Sequence, residues 1–220
     1  MARAASPASP SLKRRLRNVY WIGGGSGAGK STIARRLAAT HGLRLYSTDD
    51  VMADHAGRCS PKNAPCLADF LKMSMDERWV HRSPEAMTES FHWFRGEGFH
   101  LIVEDLLNLP AGDRVIVEGF RLLPRLVSPL LYRKRQGVWL IPTPEFRRAA
   151  FASRGSLLSI AEKTSDPARA LRNLLDRDRL FTDSLRATVK DLRAPMIEVD
   201  RSLTQSVLES RLAARFKLEV

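Results

Sequence analysis

The sequence contains few cysteines and no long hydrophobic run. Only two of its 220 residues are cysteines, Cys59 and Cys66, and their spacing matches no common zinc framework. We expect free thiols; a metal site that also recruits His55 and His81 is the alternative. No apolar stretch approaches the ~18 residues that a membrane span requires. These absences predict a soluble, cytoplasmic protein that has no disulfide framework and does not enter membranes.

Acidic residues are absent from the first 48 positions, and the whole chain carries a formal net charge of +12. This excess favours polyanionic ligands such as nucleotides, phosphorylated metabolites or nucleic acid. Residues 1–17 combine Ala, Ser and Pro with a basic cluster, and they lack the apolar segment of a secretory signal. We interpret them as a disordered leader, with a transit peptide or a nucleic-acid-binding arm as alternatives. Residues 18–220 then fit one domain.

One short segment is rich in glycine. It reads GGSGAGKST and fits the phosphate-binding pattern G-x-x-x-x-G-K-[ST] at every fixed position. Glycines allow turns that a Cβ would forbid, so several backbone N–H groups can face one anion. A strand pattern precedes the segment and a helical pattern follows it, which a flexible Gly/Ser linker would not require. We predict that nucleotide phosphates bind to Gly24, Gly25, Ser26, Gly27, Ala28, Gly29, Lys30, Ser31 and Thr32.

Short apolar segments alternate with helical patterns along the chain. Strands are predicted at residues 18–22, 43–47, 114–119, 137–141 and 195–199. Continuous β-branched runs are typical of parallel strands that are covered on both faces. The alternation predicts an α/β doubly wound parallel sheet. Between residues 51 and 109 the periodicity is weak, and this segment is a candidate acceptor-binding insertion of short helices and loops.

Carboxylates follow two of the predicted strands. Asp49 and Asp50 come after the second strand, and Glu118 closes the third. Ligands bind at the carboxyl ends of parallel strands in such sheets. Asp49 can accept a proton from an acceptor hydroxyl or bind Mg²⁺ through water; Asp50 is the alternative base, and either aspartate can instead cap a helix. Glu118 and Ser31 are predicted to serve the Mg²⁺ site.

Arginines are concentrated between residues 147 and 193. Some can clamp phosphate oxygens, whereas others form a solvated helix face. Arg147 and Arg154 flank a Gly/Ser-containing loop, so we predict a mobile lid over residues 147–172. Asp50, Arg82 and Arg121 are candidate acceptor contacts. An aromatic and histidine group forms either an acceptor pocket or a hydrophobic core: Trp79, His81, Arg82, Phe91, His92, Trp93 and Phe94.

Together these residues resemble the P-loop kinases of the nucleoside-monophosphate-kinase-like group, which includes adenylate, shikimate, gluconate and chloramphenicol kinases. The resemblance covers about residues 18–216 and is specific at the phosphate loop. It implies a three-layer α/β/α sandwich with strand order 2-3-1-4-5, a helical lid, ATP and Mg²⁺. In shikimate- and chloramphenicol-kinase-like members an aspartate at the offset of Asp49 acts on the acceptor hydroxyl. Their lid arginines correspond to Arg147 and Arg154.

Two segments depart from that group. EGFRLLP at residues 118–124 replaces the Asp-Gly-Phe-Pro-Arg of adenylate-kinase-like enzymes, and Ser47-Thr48-Asp49 replaces the Asp-x-Asp pair of shikimate kinases. These departures leave the acceptor open. The sequence predicts an ATP- and Mg²⁺-dependent kinase, monomeric or homodimeric, for a small hydroxylated or phosphorylated metabolite or natural product. A nucleoside or nucleotide kinase is the first alternative, and a nucleic-acid-associated or regulatory NTP-binding protein is the alternative from another class.

Overall fold

A five-stranded parallel sheet forms the centre of the fold in the computed structural model, which describes residues 9–152 and 156–218. Each pair of neighbouring strands is parallel, and the order is β2-β3-β1-β4-β5. This confirms the predicted α/β fold and strand order. The strands are β1 Val19–Gly24, β2 Arg44–Ser47, β3 Val115–Glu118, β4 Gly137–Pro142 and β5 Met196–Val199.

Helices connect the strands and build the segment between β2 and β3. In the described part of the chain they are α1 Pro10–Arg15, α2 Lys30–His41, α3 Met52–Arg58, α4 Pro65–Lys72, α5 Met75–Trp79, α6 Pro84–Ser90, α7 His92–Arg95, α8 Phe99–Asn108, α9 Pro124–Val127, α10 Pro144–Ala152, α11 Ser156–Ala161, α12 Pro167–Asp191 and α13 Gln205–Phe216. Among the described residues no helix has the length and apolarity needed to cross a membrane.

Helices cover both faces of the sheet. Successive residues of a strand point to opposite faces, so Trp21 and Ile22 of β1 belong to two different hydrophobic clusters. The Trp21 cluster includes buried residues of α8 and α12, whereas the Ile22 cluster includes buried residues of α2 and α13. The result is the three-layer arrangement that the resemblance implies.

The segment from α3 to α7 forms short helices, as the weak periodicity indicates. Its hydrophobic side packs with α11 and the first half of α12, where Ala161 and Leu174 are fully buried together with Met87 of α6. The predicted start of α6 is confirmed: the Ser83 hydroxyl accepts a hydrogen bond from the Ala86 N–H at 3.2 Å. The predicted lid and the predicted acceptor insertion therefore share one small core.

The prediction of a disordered leader over residues 1–17 is wrong for residues 9–17. The Ser9 hydroxyl caps α1 by accepting a hydrogen bond from the Leu12 N–H at 3.3 Å. Leu16 is 1% exposed and packs in the Trp21 cluster, with Leu12 against it. Two leucines four positions apart lie on one helix face, a signal that the Ala/Ser/Pro composition obscured. Residues 1–8 lie outside the described part.

Candidate active site

The glycine-rich loop connects the end of β1 to the start of α2. Gly24, Gly27 and Gly29 have φ angles of 139°, 81° and 76°, which residues with a side chain rarely adopt. A Cβ on Gly24 would lie 2.1 Å from the Leu140 carbonyl oxygen, so only glycine fits against β4 there. Gly29 is the N-cap of α2, and no side chain caps this helix. Its first N–H groups are thus available to an anion.

Lys30 opens α2 and lies largely buried beside the loop. Its Nζ donates a hydrogen bond to the Gly25 carbonyl oxygen at 2.8 Å. Burial raises the pKa values of Asp49, which follows β2, and of Glu118, which ends β3, and the charge of Lys30 opposes this rise at both carboxyls. The structure therefore brings the predicted cation and both predicted carboxylates to one edge of the sheet.

Glu118 ends β3 and is 2% exposed. Burial raises the pKa of its carboxyl; the charge of Lys30 opposes this, Asp49 adds to it, and the Ser31 and Ser47 hydroxyls lower it. Its Oε2 has no hydrogen-bond partner in the described part of the chain. A buried oxygen without a partner is costly, which indicates that a ligand or a water molecule completes the site.

The Ser31 and Glu118 oxygens have the chemistry that Mg²⁺ prefers, and the unpartnered Oε2 is suited to a metal-bound water. Among the described residues there is no cluster of three or more His, Cys, Asp or Glu side chains that would hold a metal by itself. Mg²⁺ at this position would therefore take its remaining ligands from phosphate oxygens and water, as this ion usually does.

Asp49 lies just beyond β2. Its carboxylate is accessible to solvent, but the protein around it is dense enough for burial to raise its pKa. The charge of Lys30, a hydrogen bond from Thr48 and the charge of Arg121 oppose this rise. We call the place beside the phosphate loop where Lys30, Asp49 and Glu118 meet the cleft. The helix-cap alternative is wrong for both aspartates, because Val51 is the N-cap of α3 and no side chain caps that helix. Asp50 is exposed.

Arg147 extends from α10 toward the phosphate loop. A Cβ on Gly27 would lie 3.8 Å from the Arg147 Cγ. Burial lowers the pKa of Arg147 although Asp183 attracts its charge, and its Nη1 is enclosed without a hydrogen-bond partner among the described residues. An enclosed guanidinium N–H group is a suitable donor to phosphate. Arg154, the second predicted lid arginine, lies outside the described residues.

A cavity of about 340 Å³ adjoins the outer side of the phosphate loop. Its walls come from the loop and the start of α2, from α10, and from the end of β5 through the start of α13. They are mainly apolar and include Ala28, Ile33, Phe146, Ala150, Val199 and Leu203. An apolar cavity beside a phosphate cradle fits a planar base. Ala28 was predicted as part of the phosphate loop, whereas the other wall residues were not predicted, because they come from distant segments of the chain.

Arg121 is buried next to the residues that precede Asp49, and only 2% of it is exposed. Its Nη1 donates to the Thr48 carbonyl oxygen and its Nη2 to the Gly98 carbonyl oxygen, both at 3.3 Å. Its guanidinium carbon is 4.0 Å from the centre of the Trp93 ring. Burial lowers its pKa to about 10. The predicted role as an acceptor contact does not fit this burial; Arg121 instead holds the backbone immediately before Asp49.

A buried histidine accepts a further hydrogen bond from the Arg121 guanidinium group. Arg121 Nη2 lies 3.0 Å from His55 Nδ1, and because arginine can only donate, Nδ1 accepts and the ring proton is on Nε2. Nε2 donates to Asp105 Oδ2 at 2.8 Å. Burial lowers the pKa of His55, so the ring is neutral. Both ring nitrogens are occupied, which argues against His55 as a metal ligand.

Asp105 joins this network to the sheet. It accepts hydrogen bonds from the Tyr46 hydroxyl at 2.6 Å and from Arg58 Nη1 at 2.9 Å. Although burial raises the pKa of Asp105, the bonds from Tyr46, His55 and Arg58 lower it below its usual value. We call Arg121, His55, Asp105 and Tyr46 the Arg121 network. The sequence analysis did not predict that these four residues contact one another.

Most of the remaining predicted residues make structural contacts within the protein. Arg82 Nη2 donates to the Ala86 carbonyl oxygen at 2.7 Å and to the Ser90 hydroxyl, so it fastens α6. Most of the aromatic and histidine group is core rather than an open pocket: Trp79, His92 and Trp93 are buried, and the His92 ring centre is 4.5 Å from that of Trp93. Cys59 and Cys66 are free thiols, as predicted.

Comparisons with known proteins do not extend this picture. No protein-family model matches the chain, and no curated protein matches it. The chemistry of the cleft is therefore inferred from its own residues.

Proposed function

We propose that this chain is an ATP- and Mg²⁺-dependent phosphotransferase that acts on a small hydroxylated or phosphorylated metabolite or natural product. The observation that carries the proposal is the meeting of Lys30, Asp49 and Glu118 at the phosphate loop. Phosphoryl transfer requires a phosphate cradle, a metal site and a group that orients the acceptor. These residues supply one candidate for each requirement.

The donor is held by the loop and by α10. The uncapped N–H groups at the start of α2 and Lys30 bind the β- and γ-phosphates of ATP, while the apolar cavity beside the loop takes the base. Arg147 donates its unpartnered Nη1–H to phosphate. Ser31 and Glu118 would hold Mg²⁺ directly or through water; when bound, this ion would neutralise charge on the phosphates.

The acceptor enters beside Asp49. Its hydroxyl oxygen forms the new bond to the γ-phosphorus, the bond to the β–γ bridging oxygen breaks, and the hydroxyl proton goes to Asp49. The raised pKa of Asp49 makes it a better proton acceptor than an ordinary aspartate. Lys30 and Arg147 stabilise the charge on the transferring group.

Lys30→Met tests the donor half of the proposal. We expect the release of ADP with the true acceptor to fall by about 10²–10³-fold, because one preorganised charge contact to the transition state is removed. Lys72→Met, which removes an exposed cation elsewhere, is the control. Thermal melting verifies that both variants fold. Persistence of ATP-dependent transfer in Lys30→Met would contradict the proposal.

The acceptor class is tested with a panel of metabolites, natural products, nucleosides and nucleoside monophosphates. Thermal shifts in the presence of an ATP analogue identify binders, and ADP release identifies substrates. Phosphorylation restricted to nucleosides or their monophosphates would select the nucleotide-kinase alternative. Hydrolysis that rises only when nucleic acid is added would exclude a small-molecule kinase.

A further inference from the structure

A second, smaller cavity lies at the opposite end of the sheet from the phosphate loop. It has a volume of about 200 Å³ and lies beside the starts of β1 and β4 and the end of α13. The six residues of β1 span about 20 Å, so this cavity is separate from the proposed active site. We call it the arginine–tyrosine pocket; it is lined mainly by Arg17, Tyr20, Tyr132, Arg133, Arg135 and Phe216.

The charge of this pocket is entirely positive. No acidic residue lines it, and none of Arg17, Arg133 and Arg135 forms an ion pair within the described residues. The Nε of Arg135 is enclosed without a hydrogen-bond partner in the same part of the chain. Three guanidinium groups without a counter-ion, one of them with an unpartnered N–H, are suited to an anion such as phosphate.

The loop that carries these arginines is fixed to the sheet. Gln136 Nε2 donates to the carbonyl oxygens of Arg17 and Val19, the latter at 3.2 Å. Gln136 Oε1 accepts from the Arg133 N–H at 2.8 Å. Arg215 Nη2 donates to the Lys134 carbonyl oxygen at 3.1 Å. The pocket is thus held in place before any ligand binds, which lowers the ordering cost of binding.

Aromatic rings lie among the arginines. Tyr132 is 47% exposed, and the guanidinium carbon of Arg133 lies 5.6 Å from its ring centre. Tyr20 and Phe216 contact each other with ring centres 5.2 Å apart. An exposed tyrosine beside arginines is the combination that binds nucleic-acid single strands, in which bases stack on rings and phosphates contact cations.

The size of the pocket favours a strand over a free small molecule. Cavities that enclose a whole small ligand measure roughly 300–1,000 Å³, more than the 200 Å³ here. One phosphate fits inside, while the attached base and the rest of the strand lie on the surface. Basic residues continue from the pocket through Arg17, whose Nη1 donates to the Arg14 carbonyl oxygen, to the cations that end α1.

We propose that the arginine–tyrosine pocket binds single-stranded nucleic acid, with one phosphate between the arginines and one base on Tyr132. The proposal is independent of the phosphotransferase site, because no residue is shared. It assigns a role to part of the +12 charge that ATP binding leaves unexplained.

The test is fluorescence anisotropy of the full chain with labelled oligouridine and oligothymidine of about 12 nucleotides over a series of salt concentrations. For Arg133→Gln/Arg135→Gln we expect at least about tenfold weaker binding. The slope of log affinity against log salt should become about 0.7 less steep, since the one lost phosphate contact on a single strand contributes about 0.7. Tyr132→Ala should weaken binding at least about fivefold through lost stacking, and Tyr132→Phe should restore it.

A charge-matched control separates this pocket from the general charge of the protein. Lys72→Gln/Lys190→Gln removes two exposed cations outside the pocket and should change the affinity by less than about twofold. Equal weakening in both double variants would overturn the proposal, as would the absence of binding at low salt. Competition by free uridine monophosphate as strong as by the oligonucleotide would assign the pocket to free nucleotides instead. ATP turnover with a small acceptor should be unchanged in the pocket variants.

Discussion

The phosphate-loop cleft and the Arg121 network are adjacent, yet they differ in whether their buried polar groups have hydrogen-bond partners. In the cleft, Glu118 Oε2 and Arg147 Nη1 are enclosed without partners among the described residues. In the network, Arg121, His55 and Asp105 bond to one another and to the backbone. Unpartnered groups reduce stability until a ligand pairs with them, whereas a satisfied network holds a structure in place. Substitutions in the two regions should therefore affect activity and stability differently.

The largest effect should come from Asp49→Asn in the cleft. Loss of the proton acceptor should lower kcat by about 10²–10⁴-fold, while Tm and the thermal shift by an ATP analogue are retained. Asp50→Asn, the matched control, should change kcat by less than about threefold, because Asp49, which feels the charge of Lys30, is the proposed proton acceptor. A larger loss in Asp50→Asn would assign the base to that residue.

Arg121→Gln should instead destabilise the protein. It leaves His55 Nδ1 and the carbonyl oxygens of Thr48 and Gly98 without their donor. We expect a loss of about 3 kcal/mol, which corresponds to a Tm lowered by about 6–12 °C. Arg125→Gln removes the same charge from an exposed position nearby and should leave Tm almost unchanged. An unchanged Tm in Arg121→Gln, together with a raised KM for the acceptor, would show that Arg121 contacts substrate.

His92 is an exception beside the Arg121 network, because it is buried and its Nδ1 has no hydrogen-bond partner within the described residues. Burial, together with the charges of Arg121, Arg78 and Arg177, lowers its pKa from 6.5 to about 4. The unfolded chain then binds more protons between these values, so stability falls as the pH falls from about 6.5 to 4. His92→Phe should remove up to about 3 kcal/mol of this pH dependence in denaturant titrations. His100→Phe, at an exposed position, should leave the dependence intact.

Glu118→Gln should have the smallest effect on stability, in the stabilising direction. The raised pKa of Glu118 means that the ionised carboxylate disfavours folding, and this cost appears as the pH rises above the unfolded value. We therefore expect a Tm slightly above that of the unmodified protein at pH 7, a difference that disappears near pH 4. Turnover should need a higher Mg²⁺ concentration to reach half of its maximum. Glu162→Gln at an exposed position is the control. A lowered Tm in Glu118→Gln would indicate that this carboxylate belongs to the structural network.

Local sequence patterns predicted the strands and the α/β class, whereas the strand order was implied by the resemblance to P-loop kinases. The strand bounds agree with β1 to β5 within two residues at each end, because buried parallel strands are short and continuously apolar. The α6 cap at Ser83 was predictable because its signal lies within four residues. The ordered helix α1 near the N-terminus was not predicted, because it depends on the burial of Leu16 against distant strands rather than on composition.

The phosphate loop is the part that the sequence determines alone, because all of its atoms come from nine consecutive residues whose glycines permit the positive φ angles of the loop. Only the tertiary structure decided the role of Arg121. Its partners Thr48, His55 and Gly98 are 73, 66 and 23 residues away, and a lone histidine or arginine has no periodicity that would connect them. Burial and pairing are properties of the packed fold, and they turned a predicted acceptor contact into the residue that holds the backbone before Asp49.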